Sequence, residues 1–259
     1  MKFNKKAVFG SVLVFVIVTV CLLASFWQFS RLAERKDLNS KIESRMAKVP
    51  FELTSPIELG DLEYRSVKME GVFIEDKQVL VAGRSFESEP GFNILTPFEI
   101  EDSGVIVFVN RGWIPQPFGD SIIDGQRNSE DFAPSGGYDK QRTVVGMIRK
   151  NEPKRIIGNS ELSIETSVSP RIDSESFKGL FDKDQKVKVA KFWIQEDFQI
   201  IDSKKVAKSS PQLEIFPKQI PPPELDERNH FSYAMQWLSF ALVAIITWIV
   251  ILRKPKKAV

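Results

Sequence analysis

Two long runs without charged residues, one near each end of the sequence, constrain this chain more than any other feature. Residues 7–27 and residues 233–252 contain no Asp, Glu, Lys or Arg. An α-helix needs about 20 apolar residues to cross the hydrocarbon core of a bilayer, which is about 30 Å thick. Each run therefore predicts a transmembrane helix.

Basic residues flank both runs on their outer sides. Three lysines precede the first run, and Arg253 and three lysines follow the second. Because basic flanking segments stay on the cytoplasmic side, residues 1–6 and 253–259 are predicted to be cytoplasmic tails. No arginine-rich presequence precedes residue 7, which favours a bacterial inner membrane and a periplasmic central domain.

A cleaved signal peptide is the alternative interpretation of the first run. Its apolar core would be about 7–15 residues long and would end at a small-x-small site, whereas this run is longer and ends in Phe26-Trp27-Gln28. Cys21 could mark a lipoprotein site, but it follows the branched Val20 rather than a small residue. The sequence favours an uncleaved anchor.

The helical pattern continues beyond the first run. Leu38, Ile42 and Met46 are four residues apart, as on one helix face, and Pro50 should end the helix. We therefore expect a juxtamembrane helix over residues 28–50, with Arg31 just above the membrane. This arginine would serve either as a lipid anchor or as part of a cationic rim for an acidic ligand.

Between residues 51 and 223 the pattern changes to that of short strands. Alternation and apolar runs predict strands at residues 64–73, 78–82, 92–95, 105–109, 142–148, 187–195 and 212–216. The sequence Asp-Ser-Gly at 102–104 predicts a hairpin turn. Long loops are expected at 116–140 and 150–186, with a short helix at 174–180.

The predicted fold class is α+β. Two transmembrane helices flank one antiparallel, β-rich domain outside the cytoplasm, of barrel or sandwich type. The prolines at 217 and 221–223 make residues 217–223 a stiff connector, and residues 224–232 would form an interfacial segment before the second span.

Composition excludes several classes of function. The 36 basic residues nearly balance the 34 acidic ones, which gives no reason to expect nucleic-acid binding. One histidine and one cysteine cannot form a zinc finger or a Cys-x-x-Cys redox pair, and no phosphate-binding loop or nucleophile elbow occurs. Carboxylate pairs such as Glu99 with Glu101 and Glu196 with Asp197 are expected to be solvated. The sequence therefore predicts no enzyme.

Two features remain as candidates for a binding site. The only histidine, His230, directly precedes the second apolar run, where it is either a solvated interfacial residue or a metal ligand. The motif at 110–115, Asn-Arg-Gly-Trp-Ile-Pro, closes the most apolar predicted strand. There Gly112 would allow a positive φ, Trp113 would cover the core, and Arg111 would be either a solvated residue or a ligand contact.

Five motifs occur in a fixed order along the chain. They are Trp27-Gln28-x-x-Arg31, Tyr64-Arg65, Gly91-Phe92-x-x-Leu95-Thr96-Pro97, the motif at 110–115, and Asn229-His230-x-x-Tyr233-Ala234-x-x-Trp237. Together they resemble the surfeit locus protein 1 family from about residue 10 to residue 250. The resemblance is weak over 116–140 and 154–190, and Arg228 stands where the family often has an asparagine.

The resemblance implies a chaperone-like assembly factor of the respiratory chain, which binds haem a and assists its insertion into the catalytic subunit of cytochrome c oxidase. His230 would be the axial ligand of the haem iron. The other predicted cofactor-binding residues are Trp27, Gln28, Arg31, Arg111, Tyr233 and Trp237. Implied partners are the catalytic subunit, other assembly factors, haem a synthase and membrane lipid. The alternative is a scaffold that stabilises oxidase subunits during assembly and binds no haem.

Overall fold

Three α-helices and eight β-strands make up the part of the chain that the computed structural model describes, namely residues 5–54, 60–126, 141–154, 161–181, 187–197, 216–223, 225 and 228–253. The helices are α1 (Lys5–Met46), α2 (Gln116–Ile123) and α3 (Arg228–Arg253). The strands are β1 (Phe51–Glu52), β2 (Ser66–Phe73), β3 (Val79–Phe86), β4 (Glu89–Ile100), β5 (Val105–Pro115), β6 (Arg142–Lys150), β7 (Val168–Ser169) and β8 (Lys188–Glu196).

The chain divides into two compact units. The helical unit consists of Met1–Glu43 and Pro223–Val259, and the barrel unit consists of Ser44–Pro222. The barrel unit is therefore inserted, in sequence, between the two long helices.

In the helical unit, α1 and α3 pack antiparallel to each other. Ser25 donates a hydrogen bond to the carbonyl of Ala234 (3.1 Å), and Trp248 near the end of α3 donates to Ser11 near the start of α1 (3.1 Å). A Cβ on Gly10 would lie 2.1 Å from the Trp248 ring, so a glycine is needed there. Small residues at such contacts let two helices approach closely. Both helices are long and apolar enough to cross a membrane, judged by length and composition.

In the barrel unit, five strands close into a barrel in the order β2, β6, β8, β5, β4. The ring closes because β4 pairs back with β2. Side chains that alternate along these strands fill the interior, among them Val67, Met69, Phe98, Val107 and Phe192. The barrel is thus a packed hydrophobic core.

The predicted β-rich domain is confirmed, and of the two expected types, barrel and sandwich, it is a barrel; the prediction of an antiparallel sheet is wrong. Strands β5 and β8 run parallel, as do β1 with β2 and β3 with β7. Directions cannot alternate all the way around a closed ring of five strands, because an odd number leaves one neighbouring pair parallel. That pair is β5 and β8, which are the third and fifth barrel strands in chain order. The helix α2 lies between the third and fourth barrel strands, β5 and β6. The same arrangement is found in the OB fold.

Six of the predicted strands are confirmed, most of them longer than expected. The seventh, at 212–216, lies outside the described residues except for Phe216. The predicted hairpin turn joins β4 to β5, with Asp102 and Gly104 at φ values of +57° and +61°. The short helix appears as a 3-10 helix at Ser176–Leu180, whereas α2 occupies a stretch predicted to be a loop.

Candidate functional site

The predicted ligand His230 lies in the first turn of α3 and is half-buried. Its Nδ1 atom is 3.0 Å from Oε1 of Gln28 on α1. An amide oxygen only accepts hydrogen bonds, so this contact requires the proton on Nδ1. In the neutral imidazole, the other ring nitrogen, Nε2, then keeps its lone pair and is available to coordinate a metal ion.

Aromatic and charged groups lie beside Gln28 on α1. Trp27 is exposed, and the guanidinium carbon of Arg31 lies 5.7 Å from the centroid of the Trp27 ring. Arg31 also donates to Glu34 at 2.7 Å, in an ion pair whose two side chains are both exposed. The predicted cationic residue is therefore partly neutralised by its neighbour, and solvent screens the pair.

On α3, the residues predicted to surround His230 differ in accessibility. Tyr233 is exposed and Trp237 is half-buried, with the Trp237 ring packed edge-to-face against Phe240. Ala234 and Ala241 are covered, because this side of α3 packs on α1. The open surface on the helical unit near the histidine is therefore aromatic.

Arg111 lies in the interior of the barrel unit. Its side chain is 3% exposed, its guanidinium carbon is 5.6 Å from the centroid of the Phe73 ring, and its Nε is 4.0 Å from Oε2 of Glu196. Along β5 it continues the inward-facing series of Val107 and Val109. Its contact with a cofactor stays a prediction, and its burial favours a role in the barrel interior.

Glu196 is buried, so the prediction that it is solvated is wrong. It follows Phe192 and Ile194 on the inward-facing side of β8 and is only 8% exposed. Burial raises the pKa of its carboxyl to about 7, although the guanidinium groups of Arg111 and Arg142 oppose the rise. Continuing the alternation of Phe192 and Ile194 by two residues would have predicted that Glu196 is buried.

The motif at 110–115 holds the connector to the barrel. Gly112 has φ +127°, and a Cβ there would lie 2.4 Å from the carbonyl oxygen of Lys218. Trp113 is 1% exposed and exchanges two backbone hydrogen bonds of 2.8 Å with Lys218. The predictions of a positive φ and of a buried tryptophan are both confirmed. The sequence did not indicate that Lys218 is the residue that Gly112 and Trp113 contact.

An aromatic cluster surrounds the ammonium group of Lys218. The centroids of the Phe86, Phe216 and Trp113 rings lie 5.6, 5.5 and 6.0 Å from its Nζ atom. Gln195 on β8 adds two bonds, donating from its amide nitrogen to the carbonyls of Ile220 and Pro221. Together these contacts fix the segment that leads towards α3 in the sequence.

The Tyr64-Arg65 motif also has a structural role. Arg65 donates to the carbonyl of Arg45 in the last turn of α1 and to that of Val49, three residues beyond the helix. Its guanidinium group lies over the ring of Phe51. Cationic side chains at the C-terminal end of a helix satisfy its unpaired carbonyls.

Within the described ranges, no group of three or more His, Cys, Asp or Glu side chains is placed to hold a metal ion. A lone histidine can still bind a metal that brings most of its own ligands, as a porphyrin does. The fold and the site thus define a class of protein: an OB-like barrel attached to two apolar helices, with a single histidine whose tautomer is fixed at the start of the second helix.

This chain belongs to the SURF1 family, whose sequence model matches residues 14–242. It is 26% identical over 251 residues to the SURF1-like protein of Rickettsia conorii, covering 93% of this chain and 90% of that protein. It is 23% identical over 308 residues to the cytochrome oxidase assembly protein SHY1 of Saccharomyces cerevisiae, covering 98% and 77%. The resemblance predicted from the motifs is confirmed.

Three other relatives match over a shorter stretch. The chain is 35% identical over 144 residues to the Surfeit locus protein 1 of Mus musculus, which covers 50% of this chain. The matched stretch spans 44% of the mouse and Gallus gallus proteins and 39% of the SURF1-like protein of Monosiga brevicollis, less than half the length of each.

Proposed function

We propose that this protein is an assembly factor for haem-copper cytochrome c oxidase. The observation that carries the proposal is the match, along 98% of this chain, to a yeast relative named as a cytochrome oxidase assembly protein. Its partners would be the catalytic subunit of the oxidase, other assembly factors and haem a synthase. Assembly of this kind requires binding and release rather than catalysis, so the protein is proposed not to be an enzyme.

The cargo is proposed to be haem a, bound through His230 and passed to the catalytic subunit. The hydrogen bond from His230 Nδ1 to Gln28 supports this assignment, because it leaves Nε2 as the free ligand atom. Trp27 and Tyr233 offer exposed aromatic rings that can stack on a macrocycle, and Trp237 is a further contact. Arg31 can donate to a propionate carboxylate. Arg111 stays a predicted cofactor contact, and its side chain is 3% exposed in the barrel unit.

The proposed setting is a bacterial inner membrane that α1 and α3 both cross. Two antiparallel spans bring the two ends of the chain to one side, and the flanking basic residues make that side the cytoplasm. Residues 51–223 would then lie in the periplasm, and lipid would surround the apolar helices. The extended match to a Rickettsia relative supports a bacterial setting.

Replacement of His230 tests the haem assignment. We expect purified His230→Ala and His230→Met proteins, made in cells that synthesise haem a, to lose most of the haem absorbance of the parent. The chain contains one histidine, so no other imidazole can substitute. Ser232→Ala, two residues along the same helix, serves as the control and should keep its haem.

Oxidase assembled in the same cells provides the second measurement. We expect it to be deficient in haem a when the His230 variants replace the parent and are still inserted in the membrane. If His230→Ala keeps full haem occupancy and an unchanged spectrum, the ligand assignment fails. Loss of oxidase subunits without any haem bound to the parent protein would favour the scaffold function instead.

A further inference from the structure

The apolar part of α3 carries its uncharged polar residues on one side. Apart from the tyrosine, these residues are Gln236, Ser239 and Thr247, and all three are exposed. Ala234 and Ala241 are buried on the side that packs on α1. At 100° per residue, Gln236 and Ser239 lie on the opposite side of the helix from these alanines. Gln236, Ser239 and Thr247 therefore point away from α1.

Gln236 differs from its neighbours because its polar groups have no partner within the helix. Ser239 donates its hydroxyl to the carbonyl of Met235 at 2.9 Å, so its donor is satisfied locally. The amide of Gln236 makes no hydrogen bond to any described residue. In a membrane span, an amide without a partner is costly, and such side chains hydrogen-bond to a neighbouring helix.

The residues that follow Gln236 on this face have the spacing of a helix-packing seam. Gln236, Ser239, Val243, Ile246 and Val250 alternate at three and four residues, and all are exposed. This is the a and d pattern of a two-stranded coiled coil, in which a polar a residue faces its own copy across a two-fold axis. An amide offers both donors and an acceptor, so two facing Gln236 side chains can satisfy each other.

We propose that α3 pairs in parallel with α3 of a second copy of this chain, through a seam formed by these five residues and centred on Gln236. This inference rests on the membrane insertion proposed above, but not on haem binding. The dimer leaves the α1-facing side of α3, with His230, free of the second copy.

Cysteine cross-linking of the full-length protein in native membranes tests the seam. Cys21 is the only cysteine, so a Cys21→Ala background leaves an introduced thiol alone. We expect Ser239→Cys to give a disulfide-linked dimer on mild oxidation. Ile245→Cys is the control, because residue 245 is exposed but lies about 120° from residue 239 and about 180° from residue 236, away from the seam. It should remain largely monomeric.

A second substitution tests the role of the amide. In the Ser239→Cys protein, Gln236→Leu removes two symmetric hydrogen bonds and should lower the dimerisation constant about sevenfold. Equal cross-linking of the two cysteine variants, or dimerisation unaffected by Gln236→Leu, would overturn the seam. Cross-linking of Ser239→Cys to a different protein would mean that the face binds another helix rather than a second copy.

Carbonate extraction separates failure of this inference from failure of the proposed function. If the chain stays in the extracted membranes and Ser239→Cys does not cross-link, only the dimer is wrong. If the chain is released from the membranes, the proposed membrane insertion is wrong and the dimer fails with it.

Discussion

The amide of Gln28 determines which nitrogen of His230 carries the proton. Its Oε1 atom, 3.0 Å from Nδ1, accepts the ring proton and orients the imidazole. We expect Gln28→Leu to reduce haem retention by about 10- to 100-fold, the usual effect of removing a partner that orients a metal ligand. Gln28→Glu keeps an acceptor and should retain haem more strongly than Gln28→Leu.

The measurement is the haem content of each purified variant during titration with a competing apo-haemoprotein. Ser30→Ala, an exposed substitution on the same helix, is the control. Equal retention by Gln28→Leu and by the parent would show that the His230 tautomer is set by another group.

The carboxyl group of Glu196 should make the stability of the protein depend on pH. Its pKa in the folded state is raised from 4.5 to about 7, mainly by burial. The unfolded chain therefore loses this proton at a lower pH than the folded chain does. Stability should fall as pH rises from about 4.5 to about 7, by at most about 3 kcal/mol, and then level off.

Glu196→Gln should remove this dependence and raise the free energy of unfolding at pH 8. Denaturant unfolding of the full-length protein in detergent, followed by tryptophan fluorescence at pH 5 and pH 8, measures the difference. The exposed Glu89→Gln is the control. A parent protein that is equally stable at both pH values would contradict the assignment.

At the scale of elements, alternation and apolar runs predicted six strands, because both patterns are local in the sequence; the run at 105–109 is an example. The parallel pairing of β5 with β8 was not predictable in that way, since it depends on how many strands close the ring. The helix α2 was missed because eight residues that begin with Gln-Pro and contain a glycine have little helical signal.

Only some features of the candidate site were predicted, because sequence patterns are local whereas contacts between distant residues are not. The family resemblance named both Gln28 and His230, but only the packing of α1 on α3 brings two residues so distant in sequence into contact. Arg111 was placed at the end of a strand, and extending the alternation from Val107 by four residues would have placed it inside the barrel. Lys218 follows a proline and carries no local signal for its aromatic surroundings.

The attachment of the connector to β5 depends on Gly112. Alanine there would require a positive φ and would place Cβ against the Lys218 backbone, so we expect Gly112→Ala to lower the free energy of unfolding by about 2–4 kcal/mol. Gly83→Ala is the matched control, because Gly83 also has a positive φ but no atom within 4 Å of the added Cβ. It should cost about 1 kcal/mol.

Denaturant midpoints of the two variants provide the comparison. Equal losses would mean that only backbone strain matters and that the close approach of the connector contributes nothing. A larger loss for Gly112→Ala is expected from two causes: its φ of +127° lies beyond the left-handed region that alanine adopts, and the Lys218 backbone approaches closely.

On the scale of the whole molecule, the order of the parts limits how the chain can be inserted in a membrane. The barrel unit lies in sequence between α1 and α3, and these helices pack antiparallel in the helical unit. If both helices cross the bilayer, the two ends of the chain must lie on one side and the barrel unit on the other. Basic residues next to the outer ends of both apolar runs assign the chain ends to the cytoplasm.

Reporter fusions test this topology directly. We expect alkaline phosphatase, which is active only outside the cytoplasm, to be active when inserted after Gly125, an exposed glycine that follows α2. The same enzyme fused after Val259 should be inactive, and a reporter that needs the cytoplasm should give the reverse result at both positions. Phosphatase activity at Val259 would mean that only one of the two helices crosses the membrane, and His230 would then no longer be fixed at the outer surface by a second span.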